Sequence, residues 1–156
     1  MSPQAKEEIR KTLRSWRKSL AKEVIVEKSN LISTEVIRLI ELNAPRSIHC
    51  YQAIEEMNEV QTTNIIEYCK NNPKVTLTVG TQSPSAILPP TQYDMIIVPV
   101  LGFNDDHHRI GYGGGWYDRF LATQTQAFTI GLAYAASKAN FQPEPHDIPL
   151  DMIIEA

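Results

Sequence analysis

Apolar and polar positions along this chain follow two periods, and each change of period marks an element. Over residues 6–20, Ile9, Leu13, Trp16 and Leu20 recur at spacings of four, three and four, which predicts an amphipathic helix. A second helix is expected over about 27–42, with Leu31, Ile32, Val36, Leu39 and Ile40 inward and Asn43-Ala-Pro45 ending it. Apolar runs at 47–54, 75–79, 95–100 and 127–134 read as strands, and a short strand closes the tail. Helices are expected at 63–70, closed by Asn71-Asn-Pro73, and from Trp116 to Ala122. Residues 80–92 are polar and proline-rich, a loop. Strands alternating with helices argue an α/β sandwich with a largely parallel sheet, its ligand beyond the carboxyl ends of the strands.

Composition narrows the class. At 156 residues and 42% hydrophobic, the chain is most simply one domain, 1–156, with a real core. A net charge of −3 provides no broad basic field for a nucleic-acid backbone. Cys50 and Cys69 lack CxxC spacing and metal-type companions, so reduced thiols in a cytosolic protein are expected. No signal-type segment opens the chain, and no run approaches the roughly 20 apolar residues of a membrane span. The expectation is a soluble, cytoplasmic monomer or weak homo-oligomer without nucleic-acid or membrane partners.

The candidate chemistry lies in Arg109-Ile-Gly-Tyr-Gly-Gly-Gly-Trp-Tyr-Asp-Arg-Phe-Leu121. A strand, a glycine-rich turn and a helix present bare backbone N–H groups to an anion, and side chains there would block its approach. Arg109, Asp118 and Arg119 add a cation, a possible Mg²⁺ ligand and a second cation. The reading is a nucleotide-phosphate site; the plain alternative is a tight turn. A dinucleotide fingerprint would need glycine where Trp116 stands, and a Walker A loop needs Gly-Lys-Ser/Thr, which is nowhere in the chain.

Elsewhere the residues carry structural readings. Lys6 and Arg10, four apart, share one side of the first helix. Lys11, Arg14, Arg17 and Lys18 read as its solvated face. Glu59 precedes the helix at 63–70, where the macrodipole favours a carboxylate. Asp147 and Asp151 suit turn chemistry and strand capping. His107 and His108 belong to a surface loop, and His49 reads as a satisfied core or edge residue.

The stretch 109–121 resembles the signature R-x-G-x-G-x-G-[YW]-Y-D-R-x-L of the 5-formyltetrahydrofolate cyclo-ligase family. Lys6-Glu-Glu-Ile-Arg10 is similar to that family's opening K-x-x-x-R, and Glu59-Val-Gln-Thr62 to its E-[VI]-x-T. The tail from Pro143 to Glu155 resembles its closing P-x-x-x-H-D-x-x-[LV]-D motif. The resemblance runs from Lys6 to Glu155, interrupted at 80–92, where ordinary members carry a longer segment that helps wall the folate pocket. It implies a three-layer α/β/α sandwich of the kind seen in the sugar-phosphate isomerase and CoA-transferase superfamily.

It also implies roles. ATP would meet Lys6, Arg10, Arg109, Ile110, Gly111, Tyr112, Gly113, Gly114, Gly115, Trp116 and Tyr117. The folate would meet Arg10, Glu59 and Trp116, while Asp118 and Asp151 would bind Mg²⁺. Arg10, Arg109 and Asp118 would carry catalysis. The implied reaction converts 5-formyltetrahydrofolate and ATP to 5,10-methenyltetrahydrofolate, ADP and phosphate. Two other readings stay open: a homologue that binds ATP or folate without turnover, and a sugar-phosphate isomerase or transferase on the same fold.

Overall fold

Strands that read as unbroken apolar runs need cover on both faces, and that need sets the architecture. The computed structural model describes residues 3–80 and 92–156. In chain order the elements are α1 (Pro3–Lys18), α2 (Lys22–Asn43), β1 (Ser47–Tyr51), α3 (Thr63–Lys70), β2 (Thr76–Gly80) and β3 (Met95–Pro99). They continue with β4 (Gly102–Phe103), β5 (Arg109–Ile110), α4 (Trp116–Ala122), β6 (Phe128–Ala133) and β7 (Met152–Glu155). Five strands form one sheet in the order β2-β1-β3-β6-β7, and each pairing is parallel. The α/β class and mostly parallel sheet expected from the alternation are present. The loop expected at 80–92 lies, apart from its two ends, outside the described residues.

Successive side chains of a strand point to opposite faces, so β1 reports what covers each. Cys50 lies beside Cys69 of α3 on one face. His49 turns to the other and meets Phe120 of α4 edge-on, ring centroids 5.2 Å apart. α2 joins the first layer through contacts with α3 and β7. Between the layers Ile48, Met95, Ile96, Ile97, Ile130 and Leu132 are buried.

One inward position on α2 is corrected. Ile25, Ser29, Ile32, Ser33, Val36 and Ile40 form the buried stripe, while Leu31 is 60% exposed. One residue along a helix turns the side chain by about 100°, and Ile32 already occupies the inward position.

The order of strands fixes where a ligand can lie. β2 sits on one side of β1 and β3 on the other, so the carboxyl ends of β1 and β3 flank a switch point, the usual crevice in such sheets. Two features shape this end; the hydrophobic pattern shows neither the first nor where the second docks. β4 and β5 make a small antiparallel hairpin that carries the chain into the glycine loop. α1 spans the same end: Leu13 packs with Leu101, Ile110 and Phe141, and Trp16 meets Tyr134 edge-on at 5.9 Å.

His49 is fully buried in this sheet. Its Nδ1 lies 2.7 Å from Thr78 Oγ1, which donates to the Tyr93 hydroxyl at 2.9 Å. Among the described residues its Nε2 has no hydrogen-bond partner, so the histidine is only half satisfied there. Burial disfavours the imidazolium and holds its pKa down at about 4, against 6.5 for a free side chain. A depressed histidine contributes stability that is present above the unfolded pKa and lost as pH falls through the folded one. That window corresponds to on the order of 3 kcal/mol. We therefore predict that the stability gap between the wild type and His49→Phe narrows by about 3 kcal/mol from pH 7 to pH 4 in urea titrations. An unchanged gap would show that His49 does not titrate with unfolding.

Candidate active site

A loop of glycines has no side chains to pack, so other residues must hold it. Arg10 Nε of α1 donates to Gly111 O at 3.1 Å, and Arg14 Nη2 donates to Tyr112 O at 3.1 Å. From the far side, Arg119 Nη1 of α4 donates to Gly114 O at 3.0 Å. Gly113 and Gly115 have φ of 99° and 70°, a left-handed backbone that other residues adopt only with strain. Gly111 lies against the Arg109 guanidinium so closely that a Cβ there would collide with it. With these carbonyls tied down, the opposite edge of the backbone is left for a ligand.

The loop borders a pocket of about 280 Å³ at the carboxyl end of β3. Lys6, Arg10 and Arg109 supply cations to its wall, and Asp118, Glu144 and Asp147 supply carboxylates. Arg109 Nε donates to Pro99 O at 3.0 Å, and its Nη1 lies 3.7 Å from Asp118 Oδ1. Burial disfavours the Arg109 charge, and the Asp118 carboxylate is the chief group that opposes this. Lys6 Nζ pairs with Asp147 Oδ2 at 3.0 Å, both side chains almost wholly buried. Burial pushes Asp147 up, but the Glu144 N–H and the Lys6 ammonium together hold it below the usual carboxylate value. Among the described residues no three His, Cys, Asp or Glu side chains gather as a metal cluster.

Aromatic rings and one isolated acid complete the site. Trp116 lines the pocket and stacks on Phe120 at 5.1 Å. Tyr117 meets Trp116 edge-on at 4.6 Å, and its buried hydroxyl has no hydrogen-bond partner among the described residues. Glu59 lines a separate hollow of about 370 Å³, with Leu20, Gln52, Ala53 and Asn58. Its Oε1 accepts from the Ile54 N–H at 2.7 Å, while Oε2 is buried without a hydrogen-bond partner among the described residues. Burial raises its pKa.

Over residues 79–156 the sequence matches the 5-formyltetrahydrofolate cyclo-ligase family. A 5-formyltetrahydrofolate cyclo-ligase of Mycoplasma pneumoniae is 33% identical across 96% of this chain and 97% of its own. The chain belongs to the 5-formyltetrahydrofolate cyclo-ligase family. Its activity is the ATP-dependent cyclisation of 5-formyltetrahydrofolate to 5,10-methenyltetrahydrofolate. A solved 5,10-methenyltetrahydrofolate synthetase from Mycoplasma pneumoniae superposes with a TM-score of 0.80 at 26% identity, covering 96% of this chain and 97% of that one. The same fold recurs in a 5,10-methenyltetrahydrofolate synthetase from Aquifex aeolicus, TM-score 0.76 at 22% identity, covering 96% of this chain and 89% of that one.

Of the residues singled out for this family's chemistry, Lys6, Arg10, Arg109, Gly111, Tyr112, Gly113, Gly114, Gly115, Trp116, Tyr117 and Asp118 come together around the pocket. Ile110 does not reach it; its side chain is fully buried with Leu13 and Phe141. Asp151 is a correction. It precedes β7, and its Oδ2 accepts from the Thr129 N–H at 2.9 Å near the start of β6. β6 and β7 are parallel, so Asp151 marks the amino end of the sheet and the glycine loop the carboxyl end. Asp147, four residues earlier, is with Glu144 a tail carboxylate that lines Asp118's pocket. The macrodipole reading of Glu59 is also replaced, because its carboxylate closes the loop back onto Ile54.

Arg14 and Arg17 do not lie on a solvated face; both turn to the glycine loop. The signal for this is in the sequence: Lys6, Arg10, Arg14 and Arg17 continue one helical stripe at steps of four, four and three.

The two tail acids should separate cleanly. Asp151→Ala leaves the buried Thr129 donors unpaired and is expected to cost about 1–3 kcal/mol in urea unfolding, with the apparent ATP constant within about twofold of the wild type. Asp147→Asn should instead raise that constant about tenfold or more, as expected for loss of a group at the ligand. A tenfold rise in Asp151→Ala with unaltered stability would return Asp151 to the site.

Proposed function

We propose that the glycine loop carries the triphosphate of ATP and that Glu59 and Trp116 hold 5-formyltetrahydrofolate, the two meeting over Arg109. The observation that carries this reading is the loop itself: arginines occupy its carbonyls on one side, and three cations border its open side. A strongly anionic ligand suits that side. The unpaired Glu59 Oε2 suits a ligand with ring N–H donors, because a carboxylate can only accept.

The chemistry asks for alignment and charge neutralisation, without a protein nucleophile. The formyl oxygen attacks the γ-phosphorus and ADP leaves, so a poor leaving group becomes a phosphate ester. N10 then attacks the formyl carbon, its proton is lost, and phosphate departs with the closed methenyl ring. Lys6, Arg10 and Arg109 oppose the charge that builds on the transferring phosphoryl oxygens. Trp116 offers a flat apolar surface to the pterin.

Magnesium fits the donor set. Asp118 and Asp147 are hard oxygen donors on one pocket, and Mg²⁺ takes one or two carboxylates with phosphate and water for the rest. Bound there, it would neutralise phosphate charge; Asp118 and Asp147 would hold it, and Asp151 would not.

Two variants test the reading. In Asp118→Asn, turnover followed by methenyl absorbance is expected to vanish while the melting temperature holds, since asparagine keeps the shape of a first-turn side chain. Full activity at low Mg²⁺ would reduce Asp118 to a partner of Arg109. A methyl group added at Gly114 would meet no atom within 4 Å, and the backbone there does not need positive φ. Gly114→Ala should therefore shift stability by no more than about 0.5 kcal/mol yet weaken ATP about tenfold, because only the ligand meets the methyl. Normal ATP affinity in a folded Gly114→Ala would move the phosphates off the loop.

A further inference from the structure

Tyr112 belongs to the glycine loop, but its side chain reaches out of it. Its hydroxyl accepts from Arg17 Nη2, and its ring lies beneath the guanidinium groups of Arg17 and Arg14, at 5.4 Å and 5.9 Å. Arg17 is itself only 3% exposed. Its Nε donates to Met57 O at 2.8 Å, and Asn58 Nδ2 donates to Arg17 O at 2.9 Å. α1 is thereby tied on one flank to the glycine loop and on the other to the segment that ends at Glu59.

The phenol stands close enough to Glu59 for each to act on the other's proton. Even so, Glu59 Oε2 has no partner at hydrogen-bond distance among the described residues. Burial, and next the Glu59 charge, push the Tyr112 pKa up to about 12, so the hydroxyl keeps its hydrogen. Arg17 occupies the phenol oxygen as a donor, which leaves that hydrogen for an acceptor, and the nearby acceptor in want of a donor is Glu59 Oε2. A carboxylate oxygen can take two donors, so Tyr112 and a ligand N–H can share it.

We propose that Tyr112 is a positioning residue that couples the two substrate sites. Phosphates on the glycine loop order it, the ordered loop brings the phenol onto Glu59, and the aligned carboxylate binds the folate more tightly. Arg17 sets the phenol's orientation. This rests on the reading that Glu59 receives the folate. Coupling of this kind is reciprocal, so the folate tightens the nucleotide by the same factor.

Calorimetry on the full chain tests it, with 5-formyltetrahydrofolate titrated in the absence and presence of saturating β,γ-methylene ATP. The wild type is expected to bind the folate about fivefold or more tightly with nucleotide present. In Tyr112→Phe the ratio should fall below about twofold, while the melting temperature stays close to wild type. Arg17→Lys, which keeps the charge and loses the second donor, should give an intermediate ratio. A wild-type ratio near one, or the wild-type ratio preserved in Tyr112→Phe, overturns the proposal and leaves the assignment of Glu59 standing. Unchanged folate affinity in Glu59→Gln overturns that assignment, and the proposal with it.

Discussion

The glycine loop cannot hold itself, and the rest of the site is arranged around that constraint. Ordering a residue costs about 1–2 kcal/mol in backbone entropy, and more for glycine. A hydrogen bond from a charged donor returns about 1.5–3 kcal/mol. Arg10, Arg14 and Arg119 each give one such bond to a loop carbonyl between Gly111 and Gly114. The two sums are of similar size, so the free loop is close to balance, and on the proposed reading a phosphate chain would tip it. Arginine suits the task because its fork can reach a carbonyl while its stem lies along the helix.

The same balance explains why the pocket's charges come in pairs. Lys6 with Asp147, and Arg109 with Asp118, keep either sign from being buried alone, which would cost several kcal/mol. The Arg109 pair is loose at 3.7 Å, and the Lys6 pair closes at 3.0 Å. On the proposed reading, an arriving polyanion would compete for both cations and so free both carboxylates. Charges that look like fold-stabilising ion pairs are thus held in exchangeable form.

Much of this is legible in the sequence, because periodicity reports burial and glycine reports backbone. α3, α4, the parallel sheet and the loop follow from those signals. What escapes depends on where distant segments meet. Asp147 and Asp151 are alike in local pattern; only the register of β6 with β7 sends Asp151 to the amino end of the sheet. Arg14 and Arg17 look solvated until a loop about a hundred residues away is seen to supply their acceptors, 98 and 95 positions on. Leu31 fails for a simpler reason, a phase error of one residue on a helix whose inward stripe mixes serines with isoleucines.

The contact between Lys6 and Asp147 spans 141 positions of the chain, and that between Arg10 and Gly111 spans 101. Closing loops of that length is slow and unrewarded until the sheet between them exists. On a growing polypeptide, α1 therefore emerges early and waits, its basic stripe facing water, while the sheet assembles. Its docking is a late event in folding, and the pocket acquires Lys6 and Arg10, two of its three cations, only then.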